Sequence, residues 1–452
     1  GGIDFDKSGL ILNINKSNLG GVVEIAGNLG TSDSKIINNF NLYGGTLSFV
    51  DDNISEIYIK NLNLYNNTVL NIDIDVRNSV SDRFIIPEKV TLPSNKLLLN
   101  IDELNMLSFF DNIEDSTAVR LINTNQLTSK YFGFTGTDND VAKYNYSGVD
   151  YFFILATEGY LVVSRDVPDY YLHPLVCAIK NMVSNTYTMY SDNLLYNYGS
   201  QSKNPTQNKI QSNKLVIKGN NNSILAGYLS EGDAKLSGIA LVGSNYYPAY
   251  KQEFYGYDVT FKGFKNALMN RGGKLVLSNV NFENNISDEN GNAILNESGT
   301  VLLSGSKKLY SYLYNNSSKG NGGAIYNSGN ITIQYVKFGE FNEDGTSLGN
   351  SAQRGGAIYN LGNLTVSNSE FIFNSAEIEG GAINNSGNFK STANKFTSNT
   401  SIGNGGAIST SSNFVHKLSE FTSNKAENGG AIYHYQFMNP SELSLTSTNF
   451  NG

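Results

Sequence analysis

Apolar residues in this chain fall in short runs that alternate with polar ones, and helical stripes are almost absent. The alternation is plain along Ile57–Leu64 and Leu70–Val76, and shorter runs of the same kind occupy Leu10–Ile14, Val22–Ile25 and Thr46–Phe49. A period of two with one wet and one apolar face predicts strands. Further on, an apolar run spans Leu97–Ile101, an aromatic cluster spans Tyr131–Phe134, and Tyr151–Leu155 and Tyr160–Val163 flank Thr157-Glu-Gly159, which predicts a closing hairpin. Helical spacing appears once, between Val167 and Tyr198, where Leu172, Leu175, Val176, Ile179, Met182 and Val183 share one face behind Pro168 and Pro174. Covering an open sheet end is the expected role of that helix. The polar run Gly199–Asn208 after it predicts a linker.

The second half of the chain is organised by a repeated phrase. Gly-Gly-Ala-Ile begins at Gly322, Gly355, Gly380, Gly405 and Gly429, and its last three intervals are equal to within one position. A second motif, Phe371–Asn374, Phe396–Asn399 and Phe421–Asn424, recurs in step with it. A period in the twenties predicts a solenoid whose repeats bury their apolar faces against each other. A leucine-rich repeat is excluded, because the segments between motifs carry β-runs and no helical periodicity. One repeat therefore reads as one coil of a parallel β-helix, right-handed by the strong preference of parallel crossovers.

The residue types suit that coil. The paired glycines (Gly322 and Gly323, Gly355 and Gly356, Gly380 and Gly381, Gly405 and Gly406, Gly429 and Gly430) would allow positive φ at a corner. Ala keeps the wall thin, Ile enters the core, and Phe371, Phe396 and Phe421 would stack on one another at the spacing of adjacent strands. Asn330, Asn363, Asn388 and Asn413 occupy equivalent places and predict an amide ladder. Two earlier intervals are longer, so extra residues are expected to leave the coil as loops at 305–319, which carries Tyr310, Tyr312 and Tyr314, and at 339–353.

At the Gly-Gly-Ala-Ile and Phe-x-x-Asn motifs the sequence resembles the polymorphic outer-membrane proteins of chlamydiae and related autotransporter passenger domains. The stretch from about 81 to 166 is similar, more loosely, to the cap that ends many such passengers. This resemblance implies an all-β, right-handed parallel β-helix in two segments, a bacterial cell-surface or secreted location, and a non-catalytic adhesin. The implied partner is a host-cell surface protein or glycan, with an outer-membrane barrel and an export signal lying outside the sequence. The opening Gly-Gly-Ile-Asp without Met and the end inside a repeat at Asn449–Gly452 read as a fragment. The expected organisation is a β-helix with a cap-like end over 1–165, a helical junction and linker over 166–211, and a repeat β-helix over 212–452.

Composition narrows the function classes. A net charge of -8, with 32 Lys and Arg spread without a basic run, argues against nucleic acid as a partner. The single cysteine, Cys177, removes any disulfide framework, and its place on the helical face suits a small buried hydrophobe. No cofactor or metal is expected: His173, His416 and His434 form no ligand spacing, with the last two out of phase with the repeat, and Asp138-Asn-Asp140 lacks the other ligands of a calcium loop.

Because many parallel β-helices cut acidic polysaccharides, a lyase or glycosidase is the alternative function, with an inert stalk behind it. The regular coils hold Glu370, Glu377, Glu379, Glu420 and Glu427 and no Asp from Gly345 onward. Glu370 and Glu420 lie two coils apart with Lys395 in the equivalent place between them, which predicts a charge ladder before a catalytic pair. Recognition is then expected on the tyrosines at 310, 312 and 314, since loops on a rigid scaffold commonly bind and tyrosine gives contact area at low entropic cost.

Overall fold

The computed structural model describes residues 11–15, 21–30, 36–86, 95–100, 104–108, 116–122, 128–136, 141–146, 148–156, 159–165, 174–180, 185–189, 193–195, 208–210, 213–226, 238–242, 252–341, 345–412, 414–435 and 443–452. It separates into two compact units, Gly1–Asn185 and Thr186–Gly452. Both are stacks of short parallel strands, a parallel β-solenoid architecture.

In the first unit one wall runs through Ile11–Ile14, Ile37–Leu42, Glu56–Leu64 and Arg83–Ile85, and a second through Val22–Glu24, Thr46–Ser48, Thr68–Asn71, Leu97–Leu99 and Phe132–Phe134. Alternation places Ile57, Ile59, Leu62 and Leu64 inside, as it does Leu70, Ile72, Ile74 and Val76. The parallel stack then gives way to an antiparallel sheet, in which Ser116–Arg120 pairs with Tyr160–Ser164, that strand with Val149–Leu155, and the latter with Val141–Tyr146. The two strands expected on either side of 157–159 pair in the middle of this sheet, and residues 157 and 158 lie outside the described residues. The sheet's antiparallel strands end the run of parallel pairings.

Among the described residues of 167–198, the helical reading is met by one helix, Pro174–Lys180, lying against the strands Ser116–Arg120 and Tyr160–Ser164. Leu175, Ala178 and Ile179 are buried there. Beyond it, Asn185–Thr188 and Asn193–Leu195 are strands, the second in parallel register with Ile224–Ala226. Thr186, Tyr187 and Thr188 are β-branched or aromatic and favour a pleated surface, which overrides the loose helical spacing. Residues 166–173 and 181–184, and the side chain of Cys177, lie outside the described residues.

Each regular coil of the second unit has four short walls. One stacks Ile325–Asn327, Ile358–Asn360, Ile383–Asn385 and Ile408–Thr410. The next stacks Asn330–Gln334, Asn363–Ser367, Asn388–Thr392 and Phe414–Lys417. A third stacks Val336–Phe338, Glu370–Ile372, Lys395–Thr397 and Glu420–Thr422. The fourth is shorter, with Ser351–Arg354, Ser375–Glu379 and Thr400–Ser401. Inward positions are filled by the Ala and Ile of the first four phrases and by Phe338, Phe371, Phe396 and Phe421, all buried, while Ala431 and Ile432 of the last phrase are half-buried.

Candidate functional site

The repeated motifs face into the coil. The first glycines, Gly322, Gly355, Gly380, Gly405 and Gly429, have φ of 68°, 63°, 69°, 65° and 60°, a left-handed corner that a Cβ would strain. The second glycines meet a different constraint. A Cβ on Gly323, Gly356, Gly381 or Gly406 would stand 2.3, 2.2, 2.1 and 2.0 Å from the carbonyl oxygen of the matching glycine one coil on. Gly430 is looser, with its nearest atom at 3.2 Å.

The phenylalanines of the other motif form one column: Phe338, Phe371, Phe396, Phe421 and Phe450 stack with centroids 4.6, 4.7, 4.8 and 5.0 Å apart. Beside it, Asn374 Nδ2 donates to Asn399 Oδ1 at 2.9 Å, and Asn399 Nδ2 to Asn424 Oδ1 at 2.9 Å. Each of these amides also serves backbone: Asn399 Nδ2 reaches the Phe371 carbonyl at 2.9 Å, and Asn399 Oδ1 accepts from the Asn374 N–H at 3.0 Å. The predicted ladder at the turn is present too, on the surface, where Asn363 Nδ2 donates to Asn330 and Asn388 Nδ2 to Asn363 at 2.7 and 2.9 Å. Asn413 lies outside the described residues. A further buried ladder, unread in the sequence, links Asn327, Asn360, Asn385 and Thr410.

On its outer side the Phe wall offers one column. Register places Asn281, Tyr312, Lys337, Glu370, Lys395 and Glu420 on successive coils. From Lys337 onward the charges alternate, with Lys337 Nζ 3.5 Å from Glu370 and Lys395 Nζ 4.0 Å from Glu420. Lys395 stands between the two glutamates, the ladder that the repeat spacing predicts.

The tyrosines sit differently from expectation. Ser311–Tyr314 is a strand of this wall, not part of an ejected loop, and pairs with Asn281–Glu283 before it and Val336–Phe338 after it. Ser311 and Leu313 point inward, so Leu313 takes the place of Phe and the extra residues lie just upstream, between Ser304 and Ser311. The longer interval hid this register, because it displaces the Phe-equivalent position from the regular beat. Of the second expected loop, 339–353, the described residues 339–341 and 345–350 lie outside the named strands, residues 342–344 lie outside the described residues, and Ser351–Arg354 rejoins the fourth wall.

Tyr310 packs edge-on against Tyr335 at 6.0 Å, and Lys337 Nζ lies 5.1 Å from the Tyr310 ring and 5.8 Å from that of Tyr312. Burial raises the Tyr310 hydroxyl above its ordinary range, with the nearby Glu370 charge adding to it. Tyr314 is more committed: burial, and then a hydrogen bond to Glu283, hold its phenol strongly protonated. Both keep their protons at neutral pH, so this patch presents hydroxyl donors and aromatic faces beside an ammonium and a carboxylate.

The fourth wall floors a groove of about 720 Å³ with the small side chains of Ser317, Ser351, Ser375 and Thr400. Among the described residues no group of His, Cys, Asp and Glu is placed to hold a metal ion. Asp138, Asp140 and His173 lie outside those residues. His416, set aside in the sequence for falling out of phase with the repeat, is in register with Ser391 and Val366 and lies fully buried. His434 stands on a different wall, paired with Thr410.

Against known proteins, the Chlamydia polymorphic membrane protein repeat matches at residues 311–328, 395–411 and 419–435. Each match runs from a strand of the Phe wall through the corner to the Gly-Gly-Ala-Ile strand, and the first includes Tyr312 and Tyr314. Searches of curated proteins and of solved structures found no match. The three matched segments lie on stacked coils of one solenoid, so this part of the second unit carries repeats of the chlamydial polymorphic membrane protein type.

Proposed function

We propose that the chain is part of a surface-exposed, non-enzymatic passenger that acts as an adhesin, contacting a host-cell surface protein or glycan through Tyr312 and Lys337 of the outward column and the adjacent Tyr310. The repeat match supports an outer-membrane or surface location and a non-enzymatic family. The observation that carries the site is the division of labour within a coil. Motif residues are spent on the core and its ladders, while this cluster of two tyrosines and a lysine stands on the outer face. Aromatic faces, phenol donors and a paired charge suit sugar rings and peptide side chains alike.

The test pairs attachment with stability. Tyr310→Ala with Tyr312→Ala should weaken attachment to host cells severalfold while shifting the melting temperature by only a few degrees, since both side chains are half-buried on the outer face and neither fills the core. Full attachment by the double variant would remove this site. Release of reducing ends from an acidic glycan, abolished by Glu370→Gln, would replace the adhesin with the enzymatic reading.

A further inference from the structure

We propose that His416 is an acid-operated release for the coils it joins. Its column in the second wall reads Ile333, Val366, Ser391, His416 and Leu445, so an imidazole fills a place that the neighbouring coils give mainly to aliphatic side chains. The ring is 0% exposed, and neither Nδ1 nor Nε2 has a hydrogen-bond partner. Phe396, Phe414 and Phe421 surround it at centroid distances of 6.1, 5.3 and 5.1 Å.

Among the described residues, no counter-charge reaches it from any adjoining strand. Lys417 on its own strand, Lys390 on the preceding coil, and Lys395 and Glu420 on the Phe wall are all exposed, and Leu443–Thr446 carries no charge. The nearest polar neighbour in the column, the Ser391 hydroxyl, already accepts from Asn394 Nδ2 at 2.8 Å. A proton on this ring would therefore be a buried, unpaired charge.

Burial alone holds the imidazole far below its ordinary value, down to about 4. The sign follows directly. Between about pH 6.5 and 4 the opened chain binds a proton that the closed coil refuses, so stability is full above about 6.5 and falls as the pH drops. Within that window each pH unit shifts the closed-to-open equilibrium about tenfold. Because a solenoid is held by nearest-neighbour terms, the loss falls on the coils around His416 and leaves distant coils closed.

Native-state hydrogen exchange on the full chain, corrected for intrinsic rates, tests this. Opening of the amides of Phe396, Phe414 and Phe421 should rise about 30-fold from pH 6.5 to 4.5, whereas Phe261 and Phe282 should show no such slope. His416→Leu, which copies Leu445, should abolish the slope; His416→Val, which copies Val366, serves if the leucine does not pack. An unchanged slope in the folded variant would overturn the proposal. So would a folded-state titration of His416 near pH 6.5 followed by NMR.

Discussion

A phenylalanine in the middle of the stack has a ring above and a ring below, so its removal opens a gap that neither neighbour can close. Phe396 lies between Phe371 and Phe421 at 4.7 and 4.8 Å and is fully buried. Phe396→Ala should cost ~3–5 kcal/mol, measured as the shift of a denaturant midpoint at constant slope. At this scale the sequence was informative wherever the beat was regular: Phe371, Phe396 and Phe421, the paired glycines and Asn330, Asn363 and Asn388 all stand where their spacing put them. It was silent on corners filled without glycine. Asn368, Ala393 and Leu418, and likewise Phe373, Ser398 and Ser423, have φ between 50° and 55°, each one full period from the last. Apart from Asn368, nothing in those residue types marks a left-handed turn, since the geometry is imposed by the coil and not by the side chain.

At the scale of a wall, the first unit contains a group with the opposite acid response to His416. Asp82 is 2% exposed, and its carboxylate accepts from the backbone N–H groups of Ser55 and Asp73 at 2.6 and 2.7 Å. Burial, with Asp73 and Asp51 adding negative charge nearby, nevertheless raises it to about 7. The folded wall thus keeps a proton that the unfolded chain gives up near pH 4. Its stabilising effect is present at low pH and lost as the pH rises towards 7, a swing on the order of a few kcal/mol. Hydrogen exchange of amides in Thr46–Ile85 should therefore quicken, beyond the intrinsic rate, from pH 5 to 8, and Asp82→Asn should flatten that rise. An identical rise in the variant would count against Asp82 as its source. This device was not legible in the sequence, where Asp82 follows a two-residue strand and gives no sign that two walls close over it. The strands around it were legible from alternation, whereas the helical reading was carried to Tyr198 although its apolar spacing ends at Val183, and Asn185–Thr188 is a strand.

For the whole second unit, the relevant quantity is the coil, because each one pairs only with its neighbours. Deleting 375–399 removes one full period and brings Ile358 opposite Ile408, Phe371 opposite Phe421 and Asn374 beside Asn424, restoring these buried pairings, while Leu364 would meet Phe414 in place of Phe389. Lys395 is lost with the coil, so Glu370 would face Glu420 in the open, a minor penalty for an exposed pair. This variant should melt cooperatively, somewhat earlier than the parent, by circular dichroism. Deleting only 375–386 shifts the register by half a coil and should abolish the cooperative melt. The solenoid itself, and the family of its repeats, could be read from two phase-locked motifs. Of the outward column, Glu370, Lys395 and Glu420 could be read from the regular spacing, whereas Tyr312 and Lys337 could not be placed on it, because they belong to coils of irregular length that break the count.

The corner glycines also govern how the molecule ages. Asn321 and Asn404 each precede a glycine, the sequence context in which an asparagine deamidates fastest, by attack of the following amide nitrogen on the side-chain carbonyl. In the stacked coils that nitrogen is engaged: Gly322 N–H donates to the Arg354 carbonyl and Gly405 N–H to the Asn428 carbonyl, both at 2.9 Å. Cyclisation would have to break a bond that also holds one coil to the next. Isoaspartate accumulating at these two positions on storage would therefore be a chemical clock of how often neighbouring coils part.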